Sequence, residues 1–242
     1  MSRRTLVTGG TRGIGAAVAL RLAAEGHALV LGYHRDGDAA EATAAKARAH
    51  GVTCQVVRAD ITTDDGIATL FDTATEHGPL TGVVSNAGAT LHLGDLAETP
   101  SDVVRRVVDL NLTAAILVAR RAVQDLRQGG VLVNVSSAAA TLGSPHEYVH
   151  YAAAKAGVDA LTHGLAQEVA GRGIRVVGVA PGIIRTSIHA DAGDPDRLER
   201  VAPAVPAGRV GEPEEVAEAI AWLLSDACRY ASGTTLRIAG GR

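Results

Sequence analysis

Thr5-Leu6-Val7-Thr8-Gly9-Gly10-Thr11-Arg12-Gly13-Ile14-Gly15 is the stretch whose reading decides the fold. A short β-forming run, Thr5–Thr8, passes straight into a glycine-rich turn, and the apolar-periodic segment Gly13–Glu25 follows. Glycines at such a junction let the backbone approach a pyrophosphate closely, and the helix N-terminus favours its negative charge. A plain tight turn is the blander reading. The position between strand and helix, at the head of an alternating chain, favours the phosphate cradle. The spacing is G-x-x-x-G-x-G rather than the G-x-G-x-x-G dinucleotide fingerprint.

Working outward, β-like runs alternate with helical segments almost to the end. Strands are predicted at Thr5–Thr8, Ala28–Gly32, Thr53–Arg58, Gly82–Ser85, Val131–Ser136, Arg175–Ala180 and Thr235–Ile238. Helices are predicted at Gly13–Glu25, Ala39–His50, Asp64–His77, Asp102–Arg127, Tyr151–Ala170 and Pro213–Ser225. Val- and Leu-rich strands with helical crossovers imply an α/β fold: one seven-stranded parallel sheet, doubly wound, with helices on both faces. No repeat or linker divides the chain, so residues 1–242 read as one domain. Residues 185–211 interrupt the alternation with Pro195, Pro203, Pro206, Gly193 and Gly208. Following the sixth strand, at the carboxyl edge of the sheet, this segment is expected to form a substrate lid.

Composition narrows the function. A net charge of −3 with 20% charged residues gives no basic surface for nucleic acid or an anionic membrane. Cys54 and Cys228 match no metal or redox spacing, which suits a reducing compartment. Met1-Ser2-Arg3-Arg4 leads into an apolar stretch too short for a signal peptide, and no run reaches transmembrane length; a cytoplasmic protein is expected.

The chain holds four Tyr and only two Lys, yet Tyr151 and Lys155 stand four residues apart. On a helix they share a face, so an ammonium would sit beside a phenol and favour its ionised form. A Tyr whose ordinary pKa is about 10 then becomes a usable acid near neutrality. The bland alternative is a surface Tyr beside a solvated Lys. Just upstream, His146-Glu147-Tyr148-Val149-His150 matches HExxH, a zinc metalloprotease motif. Pro145 makes this a loop or a first helical turn rather than mid-helix, so no metal site is expected. The two His are expected to line the substrate mouth.

With those residues in place, the chain resembles a short-chain dehydrogenase/reductase, and the resemblance spans essentially its whole length. Thr8–Gly15 carries that family's TGxxxGxG signature. Ser85-Asn86-Ala87-Gly88 matches its NNAG turn, with Ser for the first Asn. Asn111, Ser137, Tyr151 and Lys155 match its catalytic tetrad, and Pro181-Gly182 with Thr186 matches its PGxxxT segment. The similarity is to members resembling 3-oxoacyl-acyl-carrier-protein reductases and sugar or polyol dehydrogenases, with a Rossmann-type fold.

The resemblance implies roles. Tyr151 would donate a proton, Lys155 would tune it and grip the nicotinamide ribose, Ser137 would bind the substrate oxygen, and Asn111 would hold a relay water. Ser136 is the competing serine; alignment of the strand end favours Ser137. Cofactor contacts are expected from Gly9, Thr11, Arg12, Gly13, Ile14, Gly15, Tyr33, Arg35, Asp60, Ile61, Asn86, Ala87, Gly88, Pro181, Gly182, Ile184 and Thr186. Asp60 would meet the adenine amino group, its blander role being a helix cap. No carboxylate follows the second strand until Asp36, while Arg12 and Arg35 are placed to clamp a 2′-phosphate. NADP(H) is therefore expected over NAD(H).

The spacing from Ser137 to Tyr151 is one longer than the family's commonest, and Val177 and Ala239 replace a frequent Asn and Asp. The helices Tyr151–Ala170 and Leu112–Val123 are apolar on nearly all faces, which implies a homotetramer with a dimer as fallback. Three functions follow: NADPH-dependent ketone reduction, NAD-dependent oxidation of a secondary alcohol, or a dinucleotide sensor without turnover. The lid's Ile183, Ile184, Ile188 and Val201 suggest an apolar substrate, whereas Arg185, Arg197 and Arg200 suggest an acidic one.

Overall fold

Leu6, Val30, Val83 and Leu132 face one side of a sheet, and their chain neighbours Val7, Leu31, Val84 and Val133 face the other. All eight are fully buried, so the strands read as continuous apolar runs rather than alternating ones. The computed structural model, which describes residues 3–242, shows why. Strands β1 (Arg4–Val7), β2 (Ala28–Tyr33), β3 (Cys54–Arg58), β4 (Leu80–Ser85), β5 (Leu126–Val135), β6 (Arg175–Pro181) and β7 (Thr235–Ile238) form one parallel sheet. Their order is β3-β2-β1-β4-β5-β6-β7. Helices α1 (Gly13–Ala24), α2 (Gly37–Arg48) and α10 (Pro213–Leu224) cover the Val7 face. Helices α3 (Asp64–Thr75), α5 (Ala114–Asp125) and α7 (Val149–Val169) cover the Leu6 face. Successive strands step outward from β1 to β3, then return to pair β4 with β1 on its other side. That reversal opens a crevice at the carboxyl ends of β1 and β4, where ligands of such sheets bind.

Local chemistry sets the helix starts. The Asp36 carboxylate accepts from Ala39 N at 2.9 Å and caps α2, and the Thr63 hydroxyl accepts from Gly66 N at 3.1 Å and caps α3. Glu212 and Glu215 form a capping box at α10, with Pro213 at its first position.

The predicted single helix Asp102–Arg127 is instead four pieces: α4 (Ser101–Val108), a π-helical turn (Asp109–Thr113), α5, and the first residues of β5. Asn111 causes the break. Its side-chain amide donates to Val107 O at 2.9 Å, taking the carbonyl that its own backbone N–H would use in an α-helix. At the far end Leu126 turns extended and pairs with Leu80, burying its side chain at the sheet. The loop between β5 and α7 contains the short α6 (Ala139–Leu142), and residues 185–211 hold two short helices, α8 (Ile188–Asp191) and α9 (Arg197–Val201), and a 3₁₀ turn at Ala202–Ala204. Val177 is a buried core residue. Among the described residues no helix is long and apolar enough to cross a membrane.

Candidate active site

The glycine turn is drawn in tightly. A Cβ on Gly15 would lie 2.0 Å from Gly9 O and 2.7 Å from Asn86 Nδ2. Gly9 and Gly13 adopt φ of 60° and 50°, the left-handed region that suits glycine. Asn86 ties the β4 turn to this cradle, donating to Thr8 O and Gly9 O, each at 3.0 Å. The Thr8 hydroxyl accepts from Asn86 N at 2.9 Å and Ala87 N at 3.0 Å. Helix α1 begins at Gly13 with no side-chain cap, so its first backbone N–H groups are left for another acceptor. Thr186 comes within 3.1 Å of where a Gly13 Cβ would stand, which brings the segment after β6 to the same cradle. Gly182 N donates to Ile238 O, and Pro181 O accepts from Ala138 N, both at 2.8 Å.

Around the adenosine-side positions, Arg35 is exposed and Tyr33 is half-buried against Gly37. Asp36 is engaged as a helix cap. The Asp60 carboxylate accepts from Thr62 N at 3.0 Å and Thr62 Oγ1 at 2.7 Å, which holds its pKa below the usual carboxylate range. The cap of α3 is Thr63, not Asp60. Ile61 and Ile184 are buried, and Ile184 packs in the core and bridges to Gly211 at the lid's base. Arg12 faces Asp191 of the 185–211 segment at 3.8 Å, with both side chains exposed.

The tetrad positions converge at the carboxyl ends of β4 and β5. Asn111 Nδ2 also donates to Ala89 O at 2.8 Å, and Asn111 Oδ1 accepts from Ala89 N at 3.2 Å. A Cβ on Gly88 would meet Asn111 Oδ1 at 2.6 Å and Lys155 Nζ at 3.5 Å, so these two side chains flank the same glycine. Tyr151 lies in the first turn of α7, with the Lys155 ammonium 5.7 Å from its ring centroid. The two serines separate in role: Ser136 Oγ donates to Lys155 O at 3.2 Å and is buried, while Ser137 Oγ accepts from Ala139 N at 3.1 Å and stands near enough to Tyr151 to lower its pKa.

Electrostatics here differ from expectation. Burial pushes the Tyr151 phenol up, against the lowering effect of the Ser137 hydrogen bond, and Tyr148 raises it further. Burial brings Lys155 itself down to about 8, and its ammonium donates to Val135 O at 2.8 Å. Desolvation is the largest influence on both groups, raising the phenol and lowering the ammonium.

A shallow cleft opens on Ser137 and Tyr148, walled by Ala138, Ala139, Leu142, Ser144, Pro181, Gly182, Ile183 and Arg242. A second, roomier cleft among Ile184, Val205, Arg209 and Ile238 contains none of the tetrad residues. The four arginines of residues 185–211 are all paired: Arg185 with Glu212, Arg197 with Glu147, Arg200 with Asp194, and Arg209 with Glu215. None is a free cation for an acidic substrate. His146 is an exposed loop residue at φ 61°, bonded to Asp95 at 2.9 Å, and His150 is buried within α7. The two rings of the HExxH stretch therefore do not share a helix face. Neither the Glu147–Arg197 pair nor the packing of Tyr148 on Tyr151 was foreseen from the sequence.

The profile of a family described as "Enoyl-(Acyl carrier protein) reductase" matches residues 9–242. The chain is 42% identical to the oxidoreductase YgfF of Escherichia coli (strain K12), over 98% of each chain. It is 39% identical to 3beta-hydroxysteroid dehydrogenase 1 of Eggerthella lenta, covering 99% of this chain and 93% of that one. A short-chain dehydrogenase from Burkholderia cenocepacia, solved in complex with NADP, superposes with a TM-score of 0.91 at 32% identity, over 99% and 97% of the two chains. Fold and site thus define a nicotinamide-dependent oxidoreductase. The chain belongs to the short-chain dehydrogenase/reductase family. The close-packed glycine cradle and the uncapped start of α1 fit the cofactor of that family.

Proposed function

We propose that this enzyme reduces a ketone to a secondary alcohol with NADP(H), using Tyr151 as the acid. The observation that carries this reading is the convergence of Asn111, Ser137, Tyr151 and Lys155 beside the glycine cradle. Bound NADPH supplies the hydride that the carbonyl carbon accepts. Ser137 orients the carbonyl oxygen by hydrogen bonding, and Tyr151 gives its phenolic proton to that oxygen as charge develops. Lys155 holds positive charge near the phenolate that results, and Asn111 positions the proton path by which Tyr151 is restored.

Gly9, Thr11, Gly13, Ile14 and Gly15 would hold the pyrophosphate, with Asn86, Ala87 and Gly88 closing the cradle from the β4 side. Lys155, Pro181, Gly182, Ile184 and Thr186 would meet the nicotinamide end, and Asp60 and Ile61 the adenine. Preference for NADP(H) over NAD(H) is supported by the exposed Arg12 and Arg35 and by the engagement of Asp36 in its cap. Residues 185–211 act as the substrate lid. The enzyme is read as a cytoplasmic homotetramer, with a dimer as fallback. Support comes from the exposed small-residue row Ala153, Ala156, Ala160 and Gly164 on α7, from exposed Ile116 on α5, and from the free cysteines.

The test follows nicotinamide absorbance with NADPH and NADH across a panel of acyl thioesters, cyclic ketones, quinones and sugars. Faster turnover with NADH than with NADPH overturns the cofactor assignment. The oxidative direction is the second reading, favoured by the name of the Eggerthella lenta relative. It predicts turnover of secondary alcohols with NAD and little reduction of any carbonyl.

A further inference from the structure

Arg197 is 1% exposed, the largest fully buried side chain among the described residues. Burying a guanidinium is unfavourable unless its donors are satisfied, and an apolar side chain of similar size would fill such a place at less cost. Its terminal nitrogens are satisfied, although Nε is buried without a partner. Arg197 grips the Glu147 carboxylate with both terminal nitrogens, Nη1 to Oε1 and Nη2 to Oε2, each at 2.7 Å. Nη2 also donates to Tyr148 Oη at 3.1 Å, and the guanidinium carbon stands 5.2 Å from the Tyr148 ring centroid. Tyr148 in turn meets Tyr151 edge to face, with centroids 5.4 Å apart and planes at 86°. An unbroken set of contacts thus runs from the lid helix α9 to the phenol beside Ser137.

The loop so gripped needs holding. Ser144 and His146 both adopt left-handed φ, at 46° and 61°, strained for residues with side chains. From the opposite side Gly94 N donates to Glu147 O at 2.8 Å. Glu147 is thereby pinned through its backbone by the β4 loop and through its side chain by the lid.

We propose that Arg197 is a positioning residue: through Glu147 and Tyr148 it fixes the Tyr151 ring, so that seating of the lid and alignment of the proton donor are one event. This rests on Tyr151 being the acid, and the test separates the two ideas. With the best ketone from the panel, Tyr151→Phe, Arg197→Met, Glu147→Gln and Tyr148→Leu are compared for kcat, KM and NADPH affinity. A misaligned acid lowers kcat and kcat/KM together, by about 10- to 100-fold, with KM unchanged. NADPH affinity stays within about twofold, because no cofactor group is touched. Combining Arg197→Met with Tyr151→Phe adds little to the loss of Tyr151→Phe alone, since both act on one step. Guanidinium ion added to Arg197→Ala restores part of kcat.

If Arg197→Met does not fold, Glu147→Gln, which keeps the volume, and Tyr148→Leu carry the test. Wild-type kcat in these variants, or a rise in KM alone, overturns the positioning role while leaving Tyr151 as the acid. Undiminished turnover in Tyr151→Phe overturns the reading of the acid itself, and the positioning role with it.

Discussion

The two sides of the crevice are held together by different means. Around the glycine cradle, the proposed cofactor side, backbone supplies the contacts: Gly9, Gly13 and Gly15 let chain segments touch, and Thr8 and Asn86 lace them with hydrogen bonds to main-chain atoms. On the substrate side, charged and aromatic side chains meet across long stretches of sequence: Arg197 with Glu147 and Tyr148, His146 with Asp95, and Arg237 with Thr141. A cofactor common to many reactions suits a cradle set by backbone shape. A substrate particular to one enzyme suits a wall whose residues are free to differ.

Substitutions on each side sharpen that contrast. The largest effect on cofactor binding is expected from Gly15→Ala. Its methyl group would overlap the Gly9 carbonyl at 2.0 Å, so the cradle must open. NADPH affinity, measured by fluorescence titration, falls by at least about 100-fold, roughly 2.7 kcal/mol. Unchanged binding would mean the cradle is not where the cofactor sits.

Tyr151→Phe belongs to the other side. It removes the proton donor and keeps the ring, so kcat falls about 1,000-fold while NADPH affinity holds within about twofold. A parallel loss of cofactor affinity would show that the two sides are not separable.

Smaller and more selective effects follow from Arg12→Ala and Arg35→Ala. Each raises the KM for NADPH about tenfold, the loss of a charge-assisted contact of about 1.5 kcal/mol, and leaves that for NADH nearly unchanged. Equal losses with both cofactors would remove the case for a 2′-phosphate clamp. Arg12→Ala also releases Asp191, so comparison with Asp191→Asn shows how much of any change reaches the lid.

The smallest effect on turnover lies outside the crevice. His27 is buried against Thr5 Oγ1 at 2.9 Å, and burial brings its pKa down to about 4 from 6.5. Its folded form therefore resists protonation. The stability it contributes is whole above pH 6.5 and is lost as pH falls from 6.5 toward 4, because the unfolded chain takes up the proton first. His27→Gln flattens the fall in Tm over that window by the equivalent of about 1–3 kcal/mol, with kcat at neutral pH unaltered.

The same contrast explains what the sequence reveals. The turn Thr8–Gly15 is legible because glycine spacing is local and its consequence is backbone geometry. The pair Tyr151 and Lys155 is legible because four residues make one helical turn. Their electrostatics are not, since burial depends on the whole fold: desolvation raises the phenol and lowers the ammonium, where adjacency alone suggested a lowered phenol. Asn111 was found as a residue but not as a break, because the apolar pattern from Asp102 onward runs on through the π-helical turn. The Arg197–Glu147 pair spans 50 residues and leaves no periodic trace. Sequence alone set Arg197 beside Arg185 and Arg200 as a substrate contact, and only the fold shows it turned inward.

The most direct test of the central claim is to run the reaction with NADPH deuterated on the transferred face of the nicotinamide and to analyse the product by mass spectrometry. One deuteron on the carbinol carbon, formed by the wild type and about 1,000-fold more slowly by Tyr151→Phe, is the predicted result. A product without the label, or one formed equally fast by both proteins, would contradict hydride transfer assisted by Tyr151.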